Sequence, residues 1–347
     1  MESKPRHKSD THKLKKLTGA QQAFLVYQRK QPKAQVAWHG KTYGVLFASS
    51  ITQTGSSVEG TSIVTSDSVF IASKGGATLA ELLSVSFQVE QFIALLCMGP
   101  FQAERVSIQL DAIRQVERFW KLGMSADRTA LKLMPHQTLV ALGRYPDLTQ
   151  KALHKWFSAN SATQLARWLI FDALFTEVSS TSKFLSVAQA WEVPDREESK
   201  VAPYNKKAFR SVCKNISKIV DDQLGKDAAE RLVNLIRSSN RESFGDLVTN
   251  TAKKVPQLAL DALCGDMTKF VSAVVDARNV LTHLQGKKKL SLEAASHLSL
   301  FLTYKLIALY CIHAATSIGL PADNLPMMLA NNSMARTACR PLPDRLI

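Results

Sequence analysis

From about residue 145 to residue 320 the chain reads as one long helical segment after another, joined by short connections, and this pattern limits its fold more than any other feature. In LARWLIFDALFTEVSSTSKFLSVAQAWE, Leu165, Trp168, Leu169, Leu174, Phe175 and Val178 recur at helical spacing, and Phe184, Leu185, Ala188 and Trp191 extend the stripe. YNKKAFRSVCKNISKIVDDQLG sets Phe209, Val212, Cys213, Ile216, Ile219, Val220 and Leu224 on one face. DAAERLVNLIR and RESFGDLVTNTAKK read as shorter helices, and DMTKFVSAVVDARNVLTHLQ as a long one that Gly286 is placed to end. In SLEAASHLSLFLTYKLIALYCIHAATSIGLP, Ser291 can cap the start, Glu293 suits the positive end, and Gly319 with Pro321 stops the helix. Such segments pack as an antiparallel bundle.

The region before them is different. QVAWHGKTYGVLF, SIVTSDSVFIAS and RVSIQL are rich in β-branched and aromatic residues and are bounded by turn signals such as HGK and KGG. ELLSVSFQVEQFIALLCMG between them reads as a helix ending at Gly99-Pro100. The strands are too few for a complete sheet to be expected. The predicted class is α+β: a basic segment over 1–34, a small β-rich region over 35–155, a helical bundle over 156–320, and a loosely structured tail over 321–347. VPDREESKVAP, charged and carrying two prolines, reads as a linker.

A net charge of +15 makes nucleic acid the first partner to consider. No uninterrupted apolar run approaches the roughly 18 residues of a membrane span, and the start lacks the apolar core of a signal peptide. The five cysteines are scattered, with no CxxC pair, and the eight histidines do not cluster with carboxylates. These features predict a cytoplasmic protein with neither metal nor cofactor. The glycines of HGK and KGG lack the context of a phosphate loop, and no GxSxG elbow appears.

RNVLTH, at the end of the fourth helix of the bundle, carries the chemistry. Phe270, Val271, Val274 and Val275 form an apolar stripe whose next position is Arg278, and a guanidinium on a buried face needs a carboxylate, a carbonyl, a second subunit or a phosphate. His283 falls in the last turn, where the negative helix end favours a cation. Cutting RNA with its own 2′-hydroxyl needs a group that exchanges protons near neutrality, which suits His, and a fixed cation against the phosphorane, which suits Arg. Asn279 can bind phosphate or orient the pair, or is simply a polar residue near a helix end. On a straight helix the two side chains stand about 140° apart. They meet at one phosphate if the helix end unwinds, or if each faces a second copy of the chain across a two-fold axis. The spacing alone decides little, because Arg6 and His12 satisfy a looser version of it in the basic N-terminal segment. Glu192 can pair with Arg278 or with another basic residue of the bundle, and Trp191 reads as core. His297 and His313 read as packing or surface residues.

Lys207, Arg210, Lys214 and Lys218 line the helix face opposite the apolar one and can track an RNA backbone, or are a solvated face. Lys287, Lys288 and Lys289 adjoin His283, and from 200 to 289 basic residues outnumber acidic ones about two to one.

RNVLTH between two long helices, the second ending in Gly-Leu-Pro, resembles the Arg-x4-6-His signature of the HEPN superfamily (higher eukaryotes and prokaryotes nucleotide-binding). SVSFQVEQFIALLCMGPFQAERVSI and KFLSVAQAWE are similar to the middle of ApeA-type anti-phage proteins, which join a β-rich domain to a C-terminal HEPN domain. The resemblance spans about 80–320. It implies a metal-independent endoribonuclease acting on tRNA or other cellular RNA, a homodimer with a composite active site, and a phage-derived trigger. Arg278 and His283 become the catalytic pair and Asn279 their polar neighbour. The N-terminal region looks too short for that family's complete sensing domain. The competing reading is a catalytically inactive helical adaptor that dimerises or binds RNA.

Overall fold

The computed structural model describes residues 23–25, 32–54, 62–73, 75–99, 106–109, 115–119, 137–176, 178–198, 204–239, 242–283 and 290–343. Most of the basic N-terminal segment, Gly286, Lys287, Lys288, Lys289 and residues 199–203 of the expected linker lie outside this set.

Four antiparallel strands form a sheet. β1 (Ala23–Leu25) and β2 (Lys33–Trp38) share one edge of the long β3 (Lys41–Thr54), and β4 (Ser62–Ser73) runs along its other edge. The region therefore builds a sheet after all, because β3 is long enough to serve two partners on one side. His39 and Gly40, with φ of 45° and 77°, make the tight turn between β2 and β3, as the HGK signal predicts. β2 alternates strictly, with Ala34, Val36 and Trp38 inward. α1 (Leu79–Cys97) carries a capping box of Thr78 and Glu81, and Glu81 also holds Lys41 of β3 at 2.8 Å. The Trp38 indole donates to Ser84 of α1 at 3.0 Å. The helix ends as expected near Gly99, although Met98, not the glycine, takes the left-handed conformation. A separate pair, β5 (Val106–Gln109) and β6 (Gln115–Phe119), follows.

α2 (Pro146–Phe157) packs on β2 and brings Trp156 into the core against Phe92 of α1. The buried Arg167 guanidinium lies 3.6 Å over the Trp156 ring and donates to the Trp156 carbonyl at 2.7 Å. Burial pulls its pKa down to about 10.

The long stripe read across residues 165–191 is two helices, α3 (Ser161–Phe175) and α4 (Ser180–Glu198). The helix stops at Thr176, and Ser179 accepts from the Ser182 amide to start the next. Leu165, Trp168 and Val178, expected in the core, are exposed at 44%, 50% and 46%. α3 instead buries its small residues Ala162, Ala166 and Ala173 together with Ile170 and Phe171. α4 runs through Pro194, so the expected linker does not begin there: a proline removes one backbone bond without ending a helix whose packing holds it.

α5 (Lys206–Leu224) and α6 (Lys226–Ser239) form a hairpin packed chiefly on itself. Cys213, Ala229 and Val233 are buried between them, while Val212, Ile219, Leu224 and Leu235 stay at least half exposed. α7 (Phe244–Ala252), the short α8 (Gln257–Leu263), which the sequence reading missed, and α9 (Met267–His283) lead to α10 (Leu292–Ser317). Ser291 caps α10 as predicted. α1 and α10 have the length and apolar composition of a membrane span, contrary to the expectation from uninterrupted runs, but 78% of the most apolar window of α10 is buried inside the protein, as in the core helix of a bundle.

The tail is not loose. α11 (Leu325–Asn331) and α12 (Ser333–Ala338) bury Leu325, Met328, Leu329, Ala335 and Ala338. Buried Asn332 donates to the Cys97 and Gln137 carbonyls at 2.7 and 2.9 Å and accepts from two amides of α12. The Lys305 ammonium, also buried, donates to the carbonyls of Leu263 and Ala338 at 2.6 and 2.8 Å. Each is a polar group taken out of water and repaid with hydrogen bonds.

His313 of α10 is largely buried with its Nδ1 unpartnered, and burial, aided by Lys254, lowers its pKa to about 4. Below about pH 6.5 the unfolded chain takes up this proton and the folded chain does not, so stability falls as pH drops from about 6.5 to about 4, by up to about 3 kcal/mol, and levels off below. Urea unfolding of wild type and His313→Gln across that range is expected to show the substitution flattening the loss; parallel curves would contradict the assignment.

Candidate active site

α9 packs between α4, α7 and α10. Phe270, Ala273, Val274, Ala277 and Val280 are buried, which leaves Arg278 at the margin of the packed face with its side chain 27% exposed. The guanidinium meets the buried carboxylate of Glu192 on α4 at 2.8 Å. Its other neighbour is the Phe244 ring at the start of α7, with 5.6 Å between the guanidinium carbon and the ring centroid. A carboxylate and a ring face thus fix the plane of the cation. The buried Glu192 would be costly alone, and Arg278 supplies the opposite charge and a charge-assisted hydrogen bond. Of the partners open to Glu192 in the sequence reading, Arg278 is one that the structure brings to it. Trp191 beside it is core, as expected, at 3% exposure.

α9 remains helical through His283, so its end does not unwind between the two residues. On a regular helix Arg278 and His283 leave the axis about 140° apart. Arg278 sits in the seam of α4, α7 and α9, Asn279 is half-buried beside it, and His283 is exposed in the last turn. The arrangement offers a fixed, partly desolvated cation and a solvent-reachable imidazole on the same helix.

Lys207, Arg210, Lys214 and Lys218 are all exposed along α5, as their spacing predicts. Lys287, Lys288 and Lys289 cannot be placed, since they fall outside the described residues. His297 is exposed and His313 is largely buried on α10. Among the described residues no group of three or more His, Cys, Asp or Glu side chains is arranged to hold a metal ion.

Comparison with curated proteins and with solved structures gave no match. A family model does match: it spans residues 185–324, from the first turns of α4 to the start of α11, less than half of the whole chain but nearly all of the helical part that holds Glu192, Arg278 and His283. By that match residues 185–324 of the helical C-terminal region are similar to an Apea-like HEPN domain.

Proposed function

We propose that this chain is an endoribonuclease of anti-phage defence that cuts tRNA or other cellular RNA without a metal, working as a homodimer. The observation that carries the reading is the Arg278–Glu192 pair at the bundle margin, followed on the same helix by an exposed His283, inside a region of HEPN type. In this reaction the RNA 2′-hydroxyl attacks the adjacent phosphorus and gives its proton to an imidazole. The bond to the 5′-oxygen breaks, the leaving oxygen takes up a proton, and a 2′,3′-cyclic phosphate remains. Arg278, held in plane by Glu192, faces the extra negative charge of the phosphorane, and Asn279 adds a hydrogen bond to the same phosphate. The 140° separation supports a site in which Arg278 and His283 come from different copies.

The α5–α6 hairpin supports both partners. Its exposed apolar flank, with Val212, Ile219, Leu232 and Leu235 on the same side, suits a second copy. Its other side carries Lys207, Arg210, Lys214 and Lys218 for an RNA backbone. The trigger on this reading is a phage product. One observation favours the adaptor instead: within a chain the guanidinium is already occupied by a carboxylate.

Cleavage separates the two. Purified protein should cut tRNA or total RNA in EDTA and leave 2′,3′-cyclic ends. Arg278→Ala and His283→Ala should each lower the rate by at least about 100-fold, the scale of losing a general base or a transition-state cation. Both should keep the wild-type circular dichroism. Salt-sensitive RNA binding without cleavage, or cleavage unchanged in both variants, contradicts the nuclease reading. Replacing Lys207, Arg210, Lys214 and Lys218 with Gln should reduce the slope of log affinity against log salt for single-stranded RNA by about 3. An unchanged slope removes α5 from the RNA path.

A further inference from the structure

A cavity of about 380 Å³ opens where the end of α1, the end of α3, the start of α4, the middle of α10 and α12 meet. Neither Arg278 nor His283 lines it. Its walls are apolar, with Met98, Leu174, Val178, Leu300, Ile307 and Met334. The polar groups on its surface sort into two sets. Thr303, Thr337 and Asn332 are committed: the two hydroxyls donate to the Ser299 and Ser333 carbonyls, and Asn332 makes its four bonds to backbone. Lys183, Ser180, Tyr304 and Ser333 also line the cavity, and among the described residues neither the ammonium nor any of the three hydroxyls has a hydrogen bond or ion pair.

Among the described residues no Asp or Glu lines it. The uncommitted groups are therefore one cation and three hydroxyls set on an apolar container, a combination that recognises a negative head on an apolar body. One ammonium matches one head group, which argues against a nucleoside di- or triphosphate. The volume lies at the lower end of the range for small-molecule sites, room for roughly 15 non-hydrogen atoms.

We propose that this cavity binds a small amphipathic monoanion, a carboxylate, sulfonate or phosphate monoester, with its head on Lys183 and its body against Met98, Leu174 and Ile307. The site joins the N-terminal region to the bundle: α1 closes one side, and α4, whose first turn supplies Ser180 and Lys183, carries Glu192 about three turns further on.

The test uses the full chain with 8-anilinonaphthalene-1-sulfonate as a fluorescent probe and octanoate as competitor. Wild type should bind one equivalent of probe saturably, and octanoate should displace it. Lys183→Met should weaken binding by about tenfold and Lys183→Glu by more, since the charge that pairs with the head is removed or reversed. Ser333→Trp, at an exposed wall position, should block the cavity and abolish binding with the melting curve unchanged. Ile219→Ser with Leu235→Ser, which removes exposed apolar surface on the α5–α6 hairpin, should leave binding intact. The proposal fails if probe binding is the same in Lys183→Glu and Ser333→Trp as in wild type, if the hairpin variant alone abolishes it, or if wild type binds neither ligand at millimolar concentration.

Discussion

The structure depends on α10 being out of water on nearly every side. Leu298, Leu302, Leu306, Leu309 and Ile312 are at most 1% exposed, and Ala308, Cys311 and Ala315 let neighbouring backbones approach on other faces. At roughly 2 kcal/mol each, the five large side chains alone contribute about as much as the whole net stability of a typical domain. A helix with that requirement has to be surrounded, and α1, α4, α7, α8, α9 and α12 do so. The arrangement fixes where polar chemistry can lie. α9 spends one face on α10 and its flanks on α4 and α7, so a charge on its stripe emerges at the seam of those helices. Arg278 does so, and Glu192 is the carboxylate that waits there.

The same requirement accounts for the tail. A helix apolar on all sides needs cover, and α12 provides it along the middle of α10 while α11 packs on α12 and α8. Lys305 is the cost of running a lysine through the middle of that helix. Its ammonium is kept by the carbonyl ends of α8 and α12, so one buried cation fastens two short helices. Asn332 does the matching work at the start of α12 and reaches the end of α1.

How much of this was legible follows from range. Local signals were read correctly: the turn at His39-Gly40, the cap at Ser291, the helix end near Gly99, and the odd placement of Arg278 on an apolar stripe. What failed was long-range. Trp168 and Leu165 look like core because their size dominates a periodic pattern, whereas α3 turns alanines inward so that helices can approach closely. Asn332 and Lys305 look like surface residues, and only partners dozens to hundreds of positions away make them structural. Glu192 is 86 residues from Arg278, so its partner could be suggested but not chosen. The hairpin of α5 and α6 was legible as helices, but its unburied flank was not, because amphipathic spacing says that a face is apolar and not what covers it.

The central claim is that Arg278 of one copy and His283 of another act on one phosphate. Mixing Arg278→Ala protein with His283→Ala protein, after conditions that exchange subunits, tests it directly. A mixed dimer then holds one site with both side chains intact and one with neither, so the account predicts that two inactive preparations regain about a quarter of wild-type activity. Activity that stays absent after verified exchange would contradict the shared site.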